Sequence, residues 1–209
     1  MPIVPHLTYQ SFRDSVLGRR YDLDGENGAQ CWDGVQLLMS QADINQYLYT
    51  QHNINPSLKG YVKTCWTNQT CRQRNGSGQF IQIPNLSDVR RGDIIIFDTY
   101  YEGGEKWYGV TGHIAFADEN YNNSGYINML GQNQGMGSNP YTGKAFDIWR
   151  GKTAPFLGAF RYIVWGGETP APEPEPQPES VYNRSRYNFV LFNRRKRQEQ
   201  WTRKPLNKK

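Results

Sequence analysis

The 209-residue sequence is short of cysteine, of long apolar runs and, over most of its length, of net charge. Three cysteines cannot build a disulfide framework, so a folded core must rest on packing. No uninterrupted apolar run exceeds four residues, Ile94–Phe97 being typical, which excludes a membrane-spanning helix. The first residues, Met1-Pro2-Ile3-Val4-Pro5-His6, hold neither a positive region nor an apolar stretch and do not read as a signal peptide. Action outside the producing cell would then need another route, such as lysis, a holin pore or a virus particle.

Positive charge is missing where a general nucleic-acid-binding surface would need it. Residues 1–166 carry 14 basic and 14 acidic side chains, net 0; residues 167–180 carry 4 acidic and no basic ones; residues 181–209 carry 10 basic and 1 acidic, net +9. The overall +5 therefore belongs to the tail, and nucleic acid is not expected as a partner of the larger part. Residues 167–180 alternate Pro and Glu, a composition that favours an extended, self-repelling spacer. Three segments follow: a folded domain over 1–166, a linker over 167–180 and a basic tail over 181–209. In the tail, Arg194-Arg195-Lys196-Arg197 stands among Tyr182, Tyr187, Phe189, Phe192 and Trp201. That run reads either as a solvated end or as an attachment to an anionic partner through salt-sensitive contacts.

What is present has a clear order. Thr8–Leu17 places Tyr9, Phe12, Val16 and Leu17 at helical spacing before Gly18. A second helix is predicted from Gln30, with Cys31, Val35, Leu38 and Met39 on one side, and a further one over 41–52. Residues 53–90 have mixed periodicity. Strands are predicted at Asp93–Asp98, Gly112–Asp118, Tyr126–Leu130 and Ala159–Trp165, each rich in Ile, Phe, Val or Tyr and bounded by turn formers. Helices followed by an antiparallel-looking run of strands is the α+β pattern.

Chemistry concentrates at few positions. A thiol is a nucleophile as thiolate, which a helix N-terminus and a nearby imidazole both favour. Cys31 follows a Gly- and Asp-rich loop and opens an apolar-faced helix. His113 lies in a strand pattern, Gly112-His113-Ile114-Ala115, whereas His6 and His52 have polar or terminal surroundings. Gln132-Asn133-Gln134 follows a strand and offers Asn133 as the amide that orients the base. Gln30, just before the thiol, offers a side-chain N–H to a developing oxyanion.

In that order the chain resembles a CHAP domain, the cysteine- and histidine-dependent amidohydrolase/peptidase of phage endolysins and bacterial peptidoglycan hydrolases. The resemblance covers roughly residues 8–165. It rests on the segment from Asp22 to Asp33 with Gln30-Cys31 near its end, on Arg91-Gly92-Asp93-Ile94-Ile95, on Gly112-His113-Ile114-Ala115 and on Gln132-Asn133, with a weaker match at Phe156–Arg161. It implies a papain-like, NlpC/P60-like fold with N-terminal helices packed on an antiparallel sheet. It also implies Cys31 as nucleophile, His113 as general base, Asn133 as orienting residue and Gln30 as oxyanion helper. The implied activity is cleavage of an amide bond in peptidoglycan, as amidase or endopeptidase. The implied setting is the host cytoplasm before lysis and then the cell wall, or else a virion tail tip. A catalytically weak wall-binding module of the same fold is the alternative of another class. The tail's anionic partner would be teichoic acid or a virion component.

One departure stands out. Many members carry an acid two positions before the Asn, and this chain has Gly131 there. Either Asn133 orients the imidazole alone, or Asp118 or Glu119 substitutes, or catalysis is weakened. The loop ahead of the nucleophile is a candidate cation site. Asp22, Asp24 and Asp33 are side-chain ligands and Glu26 and Gly28 carbonyl ligands for a hard cation, which the resemblance identifies as calcium. The aromatic stretch Tyr100–Tyr108 is expected to wall a groove for an extended peptide or sugar.

Overall fold

The computed structural model describes residues 8–25, 28–40, 47–135 and 143–166. The expected linker and tail over 167–209, and Glu26 of the acidic loop, lie outside the described residues.

Helix α1 (Tyr9–Val16) starts where Thr8 accepts the Ser11 backbone N–H at 3.1 Å, and it buries Tyr9, Phe12 and Val16. Gly18, at φ +75°, turns the chain out of the helix and donates its N–H to Phe146 O at 2.9 Å. Helix α2 (Cys31–Met39) buries Val35, Leu38 and Met39, and in its first turn Asp33 accepts the Gln30 N–H at 2.8 Å. The predicted helix over 41–52 is not found in its described part. Residues 47–50 are non-helical, and only the short α3 (Gln51–Ile54) forms. Asn75 explains the difference, because its side-chain amide accepts the Tyr49 N–H at 2.7 Å and donates to Tyr49 O at 3.0 Å, replacing helical bonds. The stretch of mixed periodicity holds α4 (Thr64–Thr67), α5 (Gln69–Asn75) and strand β1 (Phe80–Ile83).

The remaining strands are β2 (Ile94–Phe97), β3 (Tyr100–Glu102), β4 (Glu105–Tyr108), β5 (His113–Ala117), β6 (Tyr126–Gly131), β7 (Asp147–Lys152) and β8 (Phe156–Tyr162). Among the described residues they form a six-stranded antiparallel sheet in the order β1-β8-β2-β5-β6-β7, with β3 and β4 as a separate hairpin. The fold is thus α+β, as predicted. Alternation along β2 divides the core. Ile94 and Ile96 join Ile114, Phe116 and Phe160 on the face that packs Phe12, Val35, Leu38 and Trp66 from the helices. Ile95 and Phe97 join Ala115, Met129 and Tyr108 on the other face. Both faces are covered, which is why β2 and β5 read as continuous apolar runs.

The two sequence motifs around Asp93 and Arg161 prove to be halves of one contact. The Arg161 guanidinium meets the buried Asp93 carboxylate at 2.8 and 2.9 Å and holds the start of β2 to β8. Cys65 and Cys71 are both buried free thiols.

Candidate active site

Gln30, Cys31, His113, Asn133 and Gln134 line one cleft of about 580 Å³, with residues 105–109 and Trp149 completing its walls. Cys31 reaches it from the first turn of α2, and His113 from the first position of β5, the strand against which α2 packs. The backbone N–H groups of Cys31, Trp32 and Ile114 face the sulfur and favour its thiolate. Burial outweighs them and pushes the Cys31 thiol up to about 11, with Asp33 adding to the rise. His113 is affected in the opposite sense. Burial lowers it to about 4, against smaller upward contributions from the Gln134 hydrogen bond and the Asp147 charge. Both shifts run toward the neutral forms, thiol and imidazole, in the one cleft that the two residues line.

Of the stretch expected to wall a groove, the part from Glu105 to Tyr108 lines the cleft, with Trp107 and Tyr108 as its aromatics. Tyr108 stacks on His113 with 5.7 Å between ring centroids, and Trp149 meets the imidazole edge-on at 6.5 Å. Trp107 stacks on Trp149 at 5.9 Å. Lys152 lies over the Trp107 ring and pairs with Glu102 of the hairpin.

Three consecutive amides after β6 hold the parts together. Gln132, fully buried, accepts the Tyr21 N–H at 2.8 Å and donates to Tyr21 O and Gln30 O, both at 3.1 Å. Asn133, at φ +51°, donates Nδ2 to Gln30 Oε1 at 2.6 Å. That bond fixes the amide of Gln30 with its oxygen toward Asn133, making Nε2 the donor end. Gln134, also buried, places Oε1 at 3.2 Å from His113 Nε2. Asn133 was expected at the imidazole, and the side chain found bonded to Nε2 is that of its neighbour. The two acids considered as substitutes are engaged elsewhere. Asp118 accepts from Tyr9 at 3.0 Å and Arg13 at 2.9 Å, and Glu119 from Asn128 at 2.9 and 3.0 Å. Sequence reasoning passed over Gln132 and Gln134 because buried and solvated glutamines look alike in a polar run.

The loop ahead of Cys31 gathers Asp22, Asp24 and Asp33, one carboxylate oxygen of each lying within 4.8 Å of the others. Asp22 and Asp24 are exposed while Asp33 is buried and capped by the Leu23 and Gln30 N–H groups at 2.9 and 2.8 Å. Oxygen-only donors at this spacing fit a hard cation. Gly28 lies in the same loop at φ +67°, next to Ala29, which bridges to Gly143.

No known protein-family profile matches the chain. It is 33% identical over 136 residues, 64% of its length, to the D-alanyl-L-alanine endopeptidase of Streptococcus phage B30. The chain spans about a quarter of that relative's length, 26%. Among solved structures it is similar to the wild-type endolysin LysIME-EF1, with a TM-score of 0.50 and 18% identity over 73% of this chain and 62% of the other. That likeness concerns the fold.

Proposed function

We propose that this chain is a peptidoglycan hydrolase of the phage lysin type, a papain-like CHAP domain that cleaves an amide bond by cysteine nucleophilic catalysis. The observation that carries the reading is the meeting of Cys31 and His113 in one aromatic-walled cleft, with the imidazole held by an amide oxygen. In the first step Cys31 Sγ attacks the carbonyl carbon as its proton passes to His113 Nδ1, the ring nitrogen left with a lone pair. Gln30 Nε2 donates to the oxyanion. The C–N bond then breaks, His113 returns the proton to the leaving amine, and water hydrolyses the thioester.

The name of the phage B30 relative favours endopeptidase cleavage at a D-alanyl-L-alanine junction over muramoyl-amide cleavage. Mass spectrometry of digested walls tests this. Endopeptidase action leaves stem peptides attached to disaccharide, and sugar-free stem peptides would instead show an amidase. Calcium is proposed at Asp22, Asp24 and Asp33, with Glu26 and Gly28 as carbonyl donors. Bound there, it would neutralise the clustered carboxylates and brace the loop that leads into Cys31. The basic segment 181–209 is proposed to associate with anionic wall polymers such as teichoic acid.

A further inference from the structure

We infer that Gln134 is the positioning residue of His113, taking over from an acid that the chain lacks at position 131. The inference rests on the hydrolase reading for its kinetic consequence, and on geometry alone for its structural one. A Cβ at Gly131 would stand 2.7 Å from Gln134 Oε1 and 3.1 Å from the Ala115 Cβ. The space a side chain at 131 would occupy is therefore filled by the Gln134 amide. Glycine at 131 and glutamine at 134 therefore form one arrangement, in which the amide fits because position 131 carries no side chain.

The direction of the amide is fixed by its other end. Gln134 Nε2 donates to Met129 O at 3.0 Å, Asp147 O at 2.9 Å and Asp147 Oδ1 at 3.0 Å. A flipped amide would set its oxygen against three acceptors, so Oε1 must face the imidazole. An oxygen there accepts only from a protonated Nε2, which leaves the lone pair on Nδ1. Asp147 is held in turn by Lys144, whose Nζ also donates to Gln134 O at 3.3 Å. A neutral amide selects the tautomer without adding a full charge beside the ring. It does what a carboxylate would do for orientation and less for stabilising the imidazolium.

The test pairs a spectroscopic readout with kinetics. Long-range nitrogen–proton correlation spectra of the wild-type chain at pH 7 should show His113 as the Nε2–H tautomer. In Gln134→Leu the tautomers should mix and kcat on wall fragments should fall by about 100-fold with KM nearly unchanged. An Nδ1–H tautomer in wild type overturns the inference even if the leucine variant does not fold. So does a folded Gln134→Leu with wild-type kcat and an unmixed tautomer. Absence of turnover in wild type would instead sink the hydrolase reading and leave the tautomer result standing.

Discussion

The ring of Tyr108 lies nearly parallel to the imidazole of His113, 19° between planes, and donates its hydroxyl to Lys152 O at 2.7 Å. The imidazole is thus covered by a residue whose own polar end is satisfied on strand β7. Tyr108→Ala should cost about 3 kcal/mol or more of stability and open the imidazole to water. Thermal unfolding measures the first effect, and a His113 titration moving up toward its ordinary 6.5 measures the second.

Burial of His113 also makes stability depend on pH. Its folded value, about 4, is below its ordinary value of 6.5, so the unfolded chain takes up the proton first as pH falls. This group's contribution is therefore complete above pH 6.5 and lost on the way to pH 4, by on the order of 3 kcal/mol. Urea unfolding across that window should show a shallower dependence for His113→Gln than for wild type. Equal slopes would mean that His113 is not held neutral by the fold.

Gln132 should matter beyond its single position. Gln132→Ala removes the tie between the end of β6 and both Tyr21 and Gln30, and takes a partner from part-buried backbone groups of each. A loss of about 2–4 kcal/mol is expected, with kcat falling in the folded fraction because one of the ties that place Gln30 is lost. Denaturant unfolding and active-site-normalised kinetics check the two parts.

Gly143 should not accept a side chain. A Cβ there would stand 1.7 Å from Ala29 O, a backbone atom, and φ is already +67°. Gly143→Ala should therefore displace the strand-like bridge to Ala29 and shift Gln30 and Cys31, lowering the melting temperature by several degrees, about 2 kcal/mol or more. A variant as stable and active as wild type would show that this bridge does not position Cys31.

Calcium should raise the melting temperature of wild type, and chelation should reverse the rise. Asp22→Ala combined with Asp24→Ala should abolish the shift in the absence of any substrate. A shift that persists in the double variant removes the metal from this loop.

Much of the site was legible because its chemistry is local. Cys31 opening a helix and His113 opening a strand both follow from short patterns, and their order along the chain is what ties them together. Strand β7 was missed because Asp147–Lys152 has Gly151 and the exposed Arg150 in place of an apolar alternation. The β3–β4 hairpin was expected as an aromatic wall, but nothing in Tyr100–Tyr108 separates wall from ordinary surface until Tyr108 is seen stacked on His113. Gln134 was illegible for another reason. Its role depends on the lack of a side chain at Gly131, three residues away, and on acceptors at Met129 and Asp147 that only the sheet brings together.

The most direct measurement is the release of free amine from purified Gram-positive cell walls, with calcium present, by wild type and by Cys31→Ala. The account predicts release by wild type and a drop of about a thousandfold or more in the variant, whose melting temperature should stay close to that of wild type. Equal release by the two proteins, or none by a folded wild type, would contradict it.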